Sequence, residues 1–204
     1  GVGEHLDACL VAEQLILSGG SSGVCAGLFT HGIGVPHIAA AGDPDQIARF
    51  VAPALAGRII TSLGITEPEA GSDVAALTTR AHRDGDDYVV NGAKTFITSG
   101  MQADVLTVAV RTDLESRGAK GISFLVVEGD SPGLSRTELF KMGWHASDTA
   151  HLHFADVRVP AENLLGVEHE GFRAAMLNFN DERLVIAAQA MGFAEACLAE
   201  ARAW

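Results

Sequence analysis

DGDDYVVNGAKTFIT, residues 84 to 98, is the stretch on which the reading of the fold turns. Gly85 between aspartates marks a turn, and Tyr88-Val89-Val90 and Lys94-Thr95-Phe96-Ile97-Thr98 are short apolar or alternating runs of the strand kind. Asn91-Gly92 lies between them. A type I′ turn needs positive φ at both central positions, and Asn-Gly meets that need best, so the spacing predicts a hairpin with strands at 88–90 and 94–98. On the two-residue period Phe96 and Thr98 share one face of the second strand.

The same grammar extends outward in both directions. RIITSLGI (58–65), ALTTRAH (76–82), VLTVAV (105–110), ISFLVV (122–127), LSRTELF (134–140) and HLHFADVRV (151–159) read as further strands. That makes about seven or eight, the number expected of a compact antiparallel barrel or sandwich. The loop TDLESRGAKG (112–121) reads as a mobile excursion of one hairpin.

Outside this block the apolar period is helical. Leu6, Leu10, Val11 and Leu15, widened by Ile16 and Leu17, form one stripe that Gly19 and Gly20 end. Ser21 and Ser22 can cap a second helix or helix pair, broken by the glycines and Pro36 around His31. Asp43 caps a third, with Pro44 in its first turn, running through Ile47, Phe50, Val51 and Leu55 to Gly57. After Val167 helical spacing returns: GFRAAMLNF is one helix, a kink or boundary falls near Asn180, and a longer helix follows with Leu184, Ala187, Ala188, Met191, Ala194 and Leu198 on one face. The expected fold class is α+β and multidomain: a helical N-terminal part (1–56), an antiparallel β-barrel-like middle domain (57–160) and the start of a C-terminal helical bundle (161–204).

Composition narrows the function classes. With 204 residues, 48% of them hydrophobic, the chain can bury a substantial core. A formal charge of −12 argues against nucleic acid or an anionic membrane as the main partner, while a local patch can still hold a small anion. No uninterrupted apolar run reaches the roughly 18 to 20 residues of a membrane span, and the start lacks the order of a signal peptide, so a soluble cytoplasmic protein is expected. Cys9, Cys25 and Cys197 sit among apolar neighbours and read as buried thiols. His151 and His153 share a strand face without a third ligand at matching spacing, so no metal site is expected. The chain opens at Gly1 and closes inside a helical pattern without a stop signal, which reads as a fragment of a longer protein.

Two stretches can carry chemistry. SLGITEPEAGSD (62–73) is either a turn leaving a strand, with Pro68 fixing φ and Gly71 permissive, or a cradle whose N–H groups and Thr66 and Ser72 hydroxyls hold a phosphate or cofactor. In FNDERL (179–184), Asn180 can cap a helix with Asp181 and Glu182 in its first turn, where the helix dipole favours negative charge. On that reading Glu182 is a solvated carboxylate and Arg183 a surface charge.

ITEPEAGSD, YVVNGAKTFITSG, KMGWHASDT and FADVRVPAENLLG, in this order between about Ile59 and Gly171, resemble the acyl-CoA dehydrogenase family. The resemblance implies FAD held between a β domain and a C-terminal helical domain. It places residues 63–72, with Leu63, Ile65, Thr66, Gly71 and Ser72, in a first flavin segment, Thr66 bonding the polar edge of the ring and Ser72 a phosphate or the bound acyl-CoA. Phe96, Ile97 and Thr98 match a second segment, with Thr98 near the reactive ring nitrogen and Phe96 where many members carry tryptophan; a core aromatic is the plain alternative for Phe96. Glu182, directly before an arginine, matches the catalytic base of the long-chain and isovaleryl branches. Asn180, Asp181 and Arg183 would contact substrate, Arg183 on its CoA part, and Ala119 and Lys120 lie in the loop that touches CoA in relatives. Arg173 replaces a tyrosine that contacts substrate in those branches, which puts that contact in doubt.

The implied reaction is α,β-dehydrogenation of an acyl-CoA to trans-2-enoyl-CoA. Electrons would pass to an electron-transfer flavoprotein, and the complete protein would be a homotetramer or dimer. The alternatives are an acyl-CoA oxidase-like flavoenzyme and a non-catalytic subunit of the same fold. Without most of the C-terminal domain, the fragment alone is expected to bind FAD weakly and to be inactive.

Overall fold

The computed structural model describes residues 2–29 and 31–204, with side chains for 6–29 and 32–204. Its first part is helical: α1 (Val2–Leu17), α2 (Ser22–Leu28), α3 (His31–Ala41), α4 (Pro44–Gln46), a π-helical turn (Ile47–Val51) and α5 (Ala52–Leu55). The Ser21 hydroxyl caps α2 by accepting from Val24 N at 3.3 Å. Asp43 and Gln46 form a reciprocal capping box, each side chain accepting the other's backbone N–H. Gln46 then donates to the carbonyls of Glu162 and Leu164, so the cap also ties the helices to the end of the sheet.

One proline expectation needs correction. Pro36 remains inside α3 instead of breaking it, because Val35 and Ile38 on either side are buried in the core and packing overrides propensity. The stretch from Pro44 to Leu55 is helical as expected, but it widens into the π turn just before Pro53, a residue that cannot donate to the ladder.

The middle of the chain is an eight-stranded sheet: β1 (Thr61–Gly64), β2 (Arg80–Asp84), β3 (Asp87–Thr98), β4 (Val105–Arg111), β5 (Ile122–Glu128), β6 (Leu134–Glu138), β7 (Thr149–Pro160) and β8 (Leu164–Leu165). Its order is β6-β7-β3-β2-β4-β5-β8, mostly antiparallel, with β1 running parallel to β4. β4 and β5 read as continuous apolar runs because both their faces are covered. Leu106, Val108, Val110, Leu125 and Val127 enter a core inside the sheet with Tyr88, Leu152 and Phe154. Val105, Ala109, Phe124 and Val126 enter a second core against Val35, Ile38, Phe50 and Val51 of the helices.

The hairpin predicted at Asn91-Gly92 is not there. The chain turns one step earlier, at Gly85 (φ +65°), and β3 runs unbroken through 91–92. Gly92 does take positive φ, +146°, but as a bulge against β7, where a Cβ would lie 2.6 Å from the Thr79 hydroxyl. Asn91 exchanges hydrogen bonds with Asp156 of β7 across the same irregularity.

The last element, α6 (Gly171–Ala203), is one helix of 33 residues with no boundary at Asn180. It packs along α1, approaching Glu13 at Gly192, and on β5 at Gly171, where a Cβ would stand 2.9 Å from the Ser123 backbone. Little of it is buried: Leu177, Leu184, Ile186, Met191 and Leu198 are exposed. That exposure corrects the cysteine reading. Cys25 is buried and Cys9 half-buried, but Cys197 is exposed on the uncovered side of α6. Ser22–Ala41 and Gly171–Ala203 are long and apolar enough to pass as membrane spans by length and composition, a weak criterion that helices of soluble proteins also meet.

Candidate active site

Between the sheet and α6 lies a cavity of about 400 Å³. One wall comes from two separated stretches, Leu63 in β1 with Ile65, Thr66, Gly71, Ser72 and Val74 after it, and Phe96, Ile97 and Thr98 at the end of β3. The other is the face of α6 carrying Met176, Phe179 and Arg183, with Ile33 of α3 closing the top. The residues named for the two expected flavin segments, Leu63, Ile65, Thr66, Gly71, Ser72, Phe96, Ile97 and Thr98, therefore line a single space. The first stretch finishes β1 at Gly64 and continues as a loop, as both readings of it required.

A set of hydrogen bonds zips the two stretches together. The Ser62 hydroxyl donates to Thr98 O at 2.6 Å, Thr95 N donates to Thr66 O at 2.8 Å, and the Thr66 hydroxyl donates to Thr95 O at 2.5 Å. Thr66 has thereby committed its proton and offers lone pairs to the cavity. Beneath them lies an ion pair that sequence reasoning missed. Lys94 Nζ is 2.8 Å from Glu67 Oε1 and donates to Ile65 O at 3.0 Å, with both side chains buried. Glu67 also accepts from Thr78 N, the Thr78 hydroxyl and Thr79 N. Burial alone would raise the Glu67 carboxyl; the Lys94 ammonium and the threonine donors outweigh it and hold it at about 2. Burial lowers the Lys94 ammonium to about 8, with Glu67 opposing. No local signal pairs two residues 27 apart, although a lysine inside a strand that is otherwise buried was a hint.

Phe96 reaches the cavity by a different route from the expected alternation. The β3–β7 register slips between Lys94 and Ile97, and Phe96 takes φ +59°, a conformation unfavourable for a bulky residue. Its side chain is 73% exposed, which sets aside the core-aromatic alternative. Ile97 and Thr98 line the same space in consecutive positions, as a regular strand would not allow.

On α6 the residues lining the cavity follow the i, i+3, i+7 spacing of one helix face, a pattern that could have singled out Met176 and Phe179. Behind Phe179, and packed on Phe124, is the buried ring of His37, whose Nδ1 bonds Ile33 O at 3.2 Å while Nε2 has no partner. Burial lowers this imidazole to about 4, so it is neutral at pH 7.

Glu182 lies on the same turn as Arg183 but outside the cavity lining. It is half-buried, and its Oε1 is shut off from solvent without a hydrogen-bond partner. Desolvation raises its carboxyl to about 7, Arg183 opposing and Asp181 adding. Asn180 is exposed and accepts from Arg183 Nη1 at 3.0 Å; Asp181 is half-buried. Mid-helix, neither Asn180 nor the two acids occupies the cap and first-turn positions expected of them.

The remaining expected contacts divide. Ala119 and Lys120 are exposed at the tip of the β4–β5 loop. Arg173 is not brought to the cavity: it borders a separate pocket of about 180 Å³ with Ala41, Gly166, Glu170 and Leu177. The cause is its place along the helix: Arg173 is one turn nearer the start of α6 than Met176, where the helix meets Ala41 and Gly166.

Two family models match the chain: "Acyl-CoA dehydrogenase, middle domain" over residues 62–157 and "Acyl-CoA dehydrogenase, C-terminal domain" over residues 169–204. A mitochondrial isobutyryl-CoA dehydrogenase of Dictyostelium discoideum is 40% identical over 199 residues, covering 97% of this chain and 47% of that protein. A mitochondrial long-chain specific acyl-CoA dehydrogenase of Sus scrofa is 42% identical over 170 residues, 82% of this chain and 40% of that protein. The crystal structure of a probable acyl-CoA dehydrogenase from Mycobacterium abscessus superposes with a TM-score of 0.95 at 57% identity, covering 98% of this chain and 53% of that one. The chain thus spans about half the length of the relatives it matches.

Proposed function

The chain belongs to the acyl-CoA dehydrogenase family, and from that premise we propose that it carries much of the active site of an enzyme oxidising an acyl-CoA to its trans-2-enoyl-CoA. The observation that carries this reading is the convergence of two separate stretches, 63–72 and 96–98, on one cavity, with a glutamate whose carboxyl stands at about 7 next to the lining residue Arg183. Members of the family generally use FAD, and the residues fit it: an apolar space, an aromatic edge at Phe96, and the oxygens of Thr66, Ser72 and Thr98 for the polar rim of a planar ring. FAD, when bound there, supplies the acceptor for the β-hydride.

The chain's own residues do the rest. Glu182, kept from ionising fully by its dry surroundings, takes the α-proton of the thioester; a base with pKa near the working pH is best matched to that task. Its unpartnered oxygen leaves the side chain free to swing toward the cavity that its neighbours Phe179 and Arg183 already line. Met176 and Phe179 pack along the acyl chain and exclude water. Arg183, oriented by Asn180, meets the polar part of the substrate, with Asp181 beside them. Ser72, Ala119 and Lys120 belong to the side where the CoA portion lies. Transfer of the electrons to an electron-transfer flavoprotein, a homo-oligomeric complete protein, a cytoplasmic location, and division into units at 1–56, 57–160 and 161–204 form part of the same proposal.

The test is Glu182→Gln in the complete, flavin-loaded protein, mixed anaerobically with acyl-CoA while flavin absorbance is followed. Loss of the base should slow bleaching by about 100- to 10,000-fold. Bleaching at the wild-type rate would remove Glu182 from the mechanism. Reoxidation in air as fast as by an electron-transfer flavoprotein would instead point to an oxidase.

A further inference from the structure

Arg111, the last residue of β4, spends all of its N–H donors on main-chain carbonyls. Nε reaches Leu77 O at 3.3 Å and one Nη2 donor reaches Ala75 O at 2.9 Å, both in the turn that follows the cavity residue Val74. The others reach Ser116 O at 3.3 Å, Gly118 O at 3.1 Å and Lys120 O at 2.9 Å, at the tip of the β4–β5 loop. The root of that loop is held as well, by Thr112 N and Asp113 N on Gly121 O and by the Thr112 hydroxyl on Ser123 and His169. A segment that composition marks as mobile is therefore pinned at its root to β5 and His169 and at its tip, through Arg111, to the turn beside Val74.

The pattern of accepted bonds fixes what the loop presents. In a trans peptide the C=O of one residue and the N–H of the next point in opposite directions. With the carbonyls of 116 and 118 drawn in to the guanidinium, the N–H groups of the exposed residues Arg117 and Ala119 face away from it, and neither makes a hydrogen bond among the described residues; Gly121, behind them, is buried against Asp113. Gly118 (φ +64°) and Gly121 (φ +74°) supply the backbone this alternation needs. The exposed side chains of Arg117 and Lys120 stand on the same tip, and a full positive charge lies one peptide layer behind. Free N–H groups backed by cations form an anion-facing surface, on a chain whose net charge is −12.

We infer that Arg111 is a positioning residue that holds this loop in an anion-facing form at the cavity edge, where it receives the phosphates of the CoA nucleotide. The choice of ligand rests on the function proposed above; the anion-facing geometry does not. Arg111 itself has no donor left for the ligand, so it acts only through the loop.

The test compares wild type with Arg111→Gln and Arg111→Lys in the complete, flavin-loaded protein, using an acyl-CoA and the matching acyl-pantetheine, which keeps the thioester and lacks the nucleotide. KM for the acyl-CoA should rise about tenfold in both variants, with kcat and the acyl-pantetheine KM little changed, because lysine keeps the charge but loses the planar fork. Parallel changes for both substrates, or no change in their KM ratio, overturn the inference; if the glutamine variant fails to retain flavin, the lysine variant decides. Calorimetric binding of 3′-phospho-ADP separates the two claims. A wild type that binds it more tightly than the variants yet never oxidises acyl-CoA keeps the role of Arg111 and sinks the proposed reaction. Equal binding by all three sinks the role of Arg111.

Discussion

Glu67 and Glu182 flank the same cavity and are held in opposite ways. Glu67, on the sheet side, receives the Lys94 ammonium and three donors from Thr78 and Thr79, and stands at about 2. Glu182, on the helix side, has a buried oxygen with no donor and stands at about 7. The same contrast runs through the two walls. The sheet wall is bonded to partners 27, 29 and 36 residues away, whereas the bond recorded at the helix wall joins Arg183 to Asn180, three residues apart. A carboxylate saturated with donors is a structural post, because no proton can reach it without dismantling its surroundings. One left without them can exchange a proton near neutrality, and environments that push two acids apart commonly assign their roles.

The contrast can be broken most violently from the sheet side. Lys94→Met should cost about 3 to 5 kcal/mol in urea unfolding, since Glu67 is left as an uncompensated buried charge. Replacing both partners, Lys94→Met with Glu67→Leu, should recover much of that loss; a double variant as unstable as the single one would mean that the pair does more than neutralise itself. The acid limb sharpens the comparison. Glu67 has a depressed folded pKa, so its contribution is present above the unfolded value of about 4.5 and is lost as pH falls through about 2. Glu67→Gln should flatten that limb of a stability–pH curve.

Glu182 carries the reverse sign. Its folded pKa is raised, so its contribution is full below the unfolded value and is lost as pH rises through about 7. Glu182→Gln should match wild type in acid and exceed it above neutrality, by thermal unfolding at a series of pH values. The turnover of wild type should rise through the same range. Smaller still, Phe96→Gly relieves positive φ at an exposed position and should raise stability by up to about 1 kcal/mol, while weakening flavin retention measured by ultrafiltration. Asn180→Ala, which removes an exposed partner of Arg183, should stay within about 0.5 kcal/mol.

What could be read from the sequence was whatever local spacing or a local cap determines. The Asp43–Gln46 cap, the double-sided apolar runs of β4 and β5, and the helical face carrying Met176, Phe179 and Arg183 all follow from neighbours in the chain. Asn91-Gly92 shows the limit: the residue preference was real, and Gly92 does have positive φ, but the same preference serves a bulge as well as a turn, and Thr79 and Asp156 decide which. The parallel pairing of β1 with β4, the Lys94–Glu67 pair and the bonds of Arg111 depend on partners tens of residues away. The candidate site became legible through motif resemblance, while the reason its wall is rigid appeared only in three dimensions.

One consequence of the unbroken α6 concerns leverage. At about 1.5 Å per residue the helix is about 50 Å long, and Glu182 stands only about 17 Å from its fixed end at Gly171. A tilt of about 2° about that end would shift the Glu182 backbone by about 0.6 Å and the last turn by about 1.7 Å. Movement at the far end is thus geared down about threefold before it reaches the carboxylate. Whatever rests on Met191 and Leu198 sets the reach of the base from a distance, and substitutions there should register in proton-transfer rates before they register in the melting temperature.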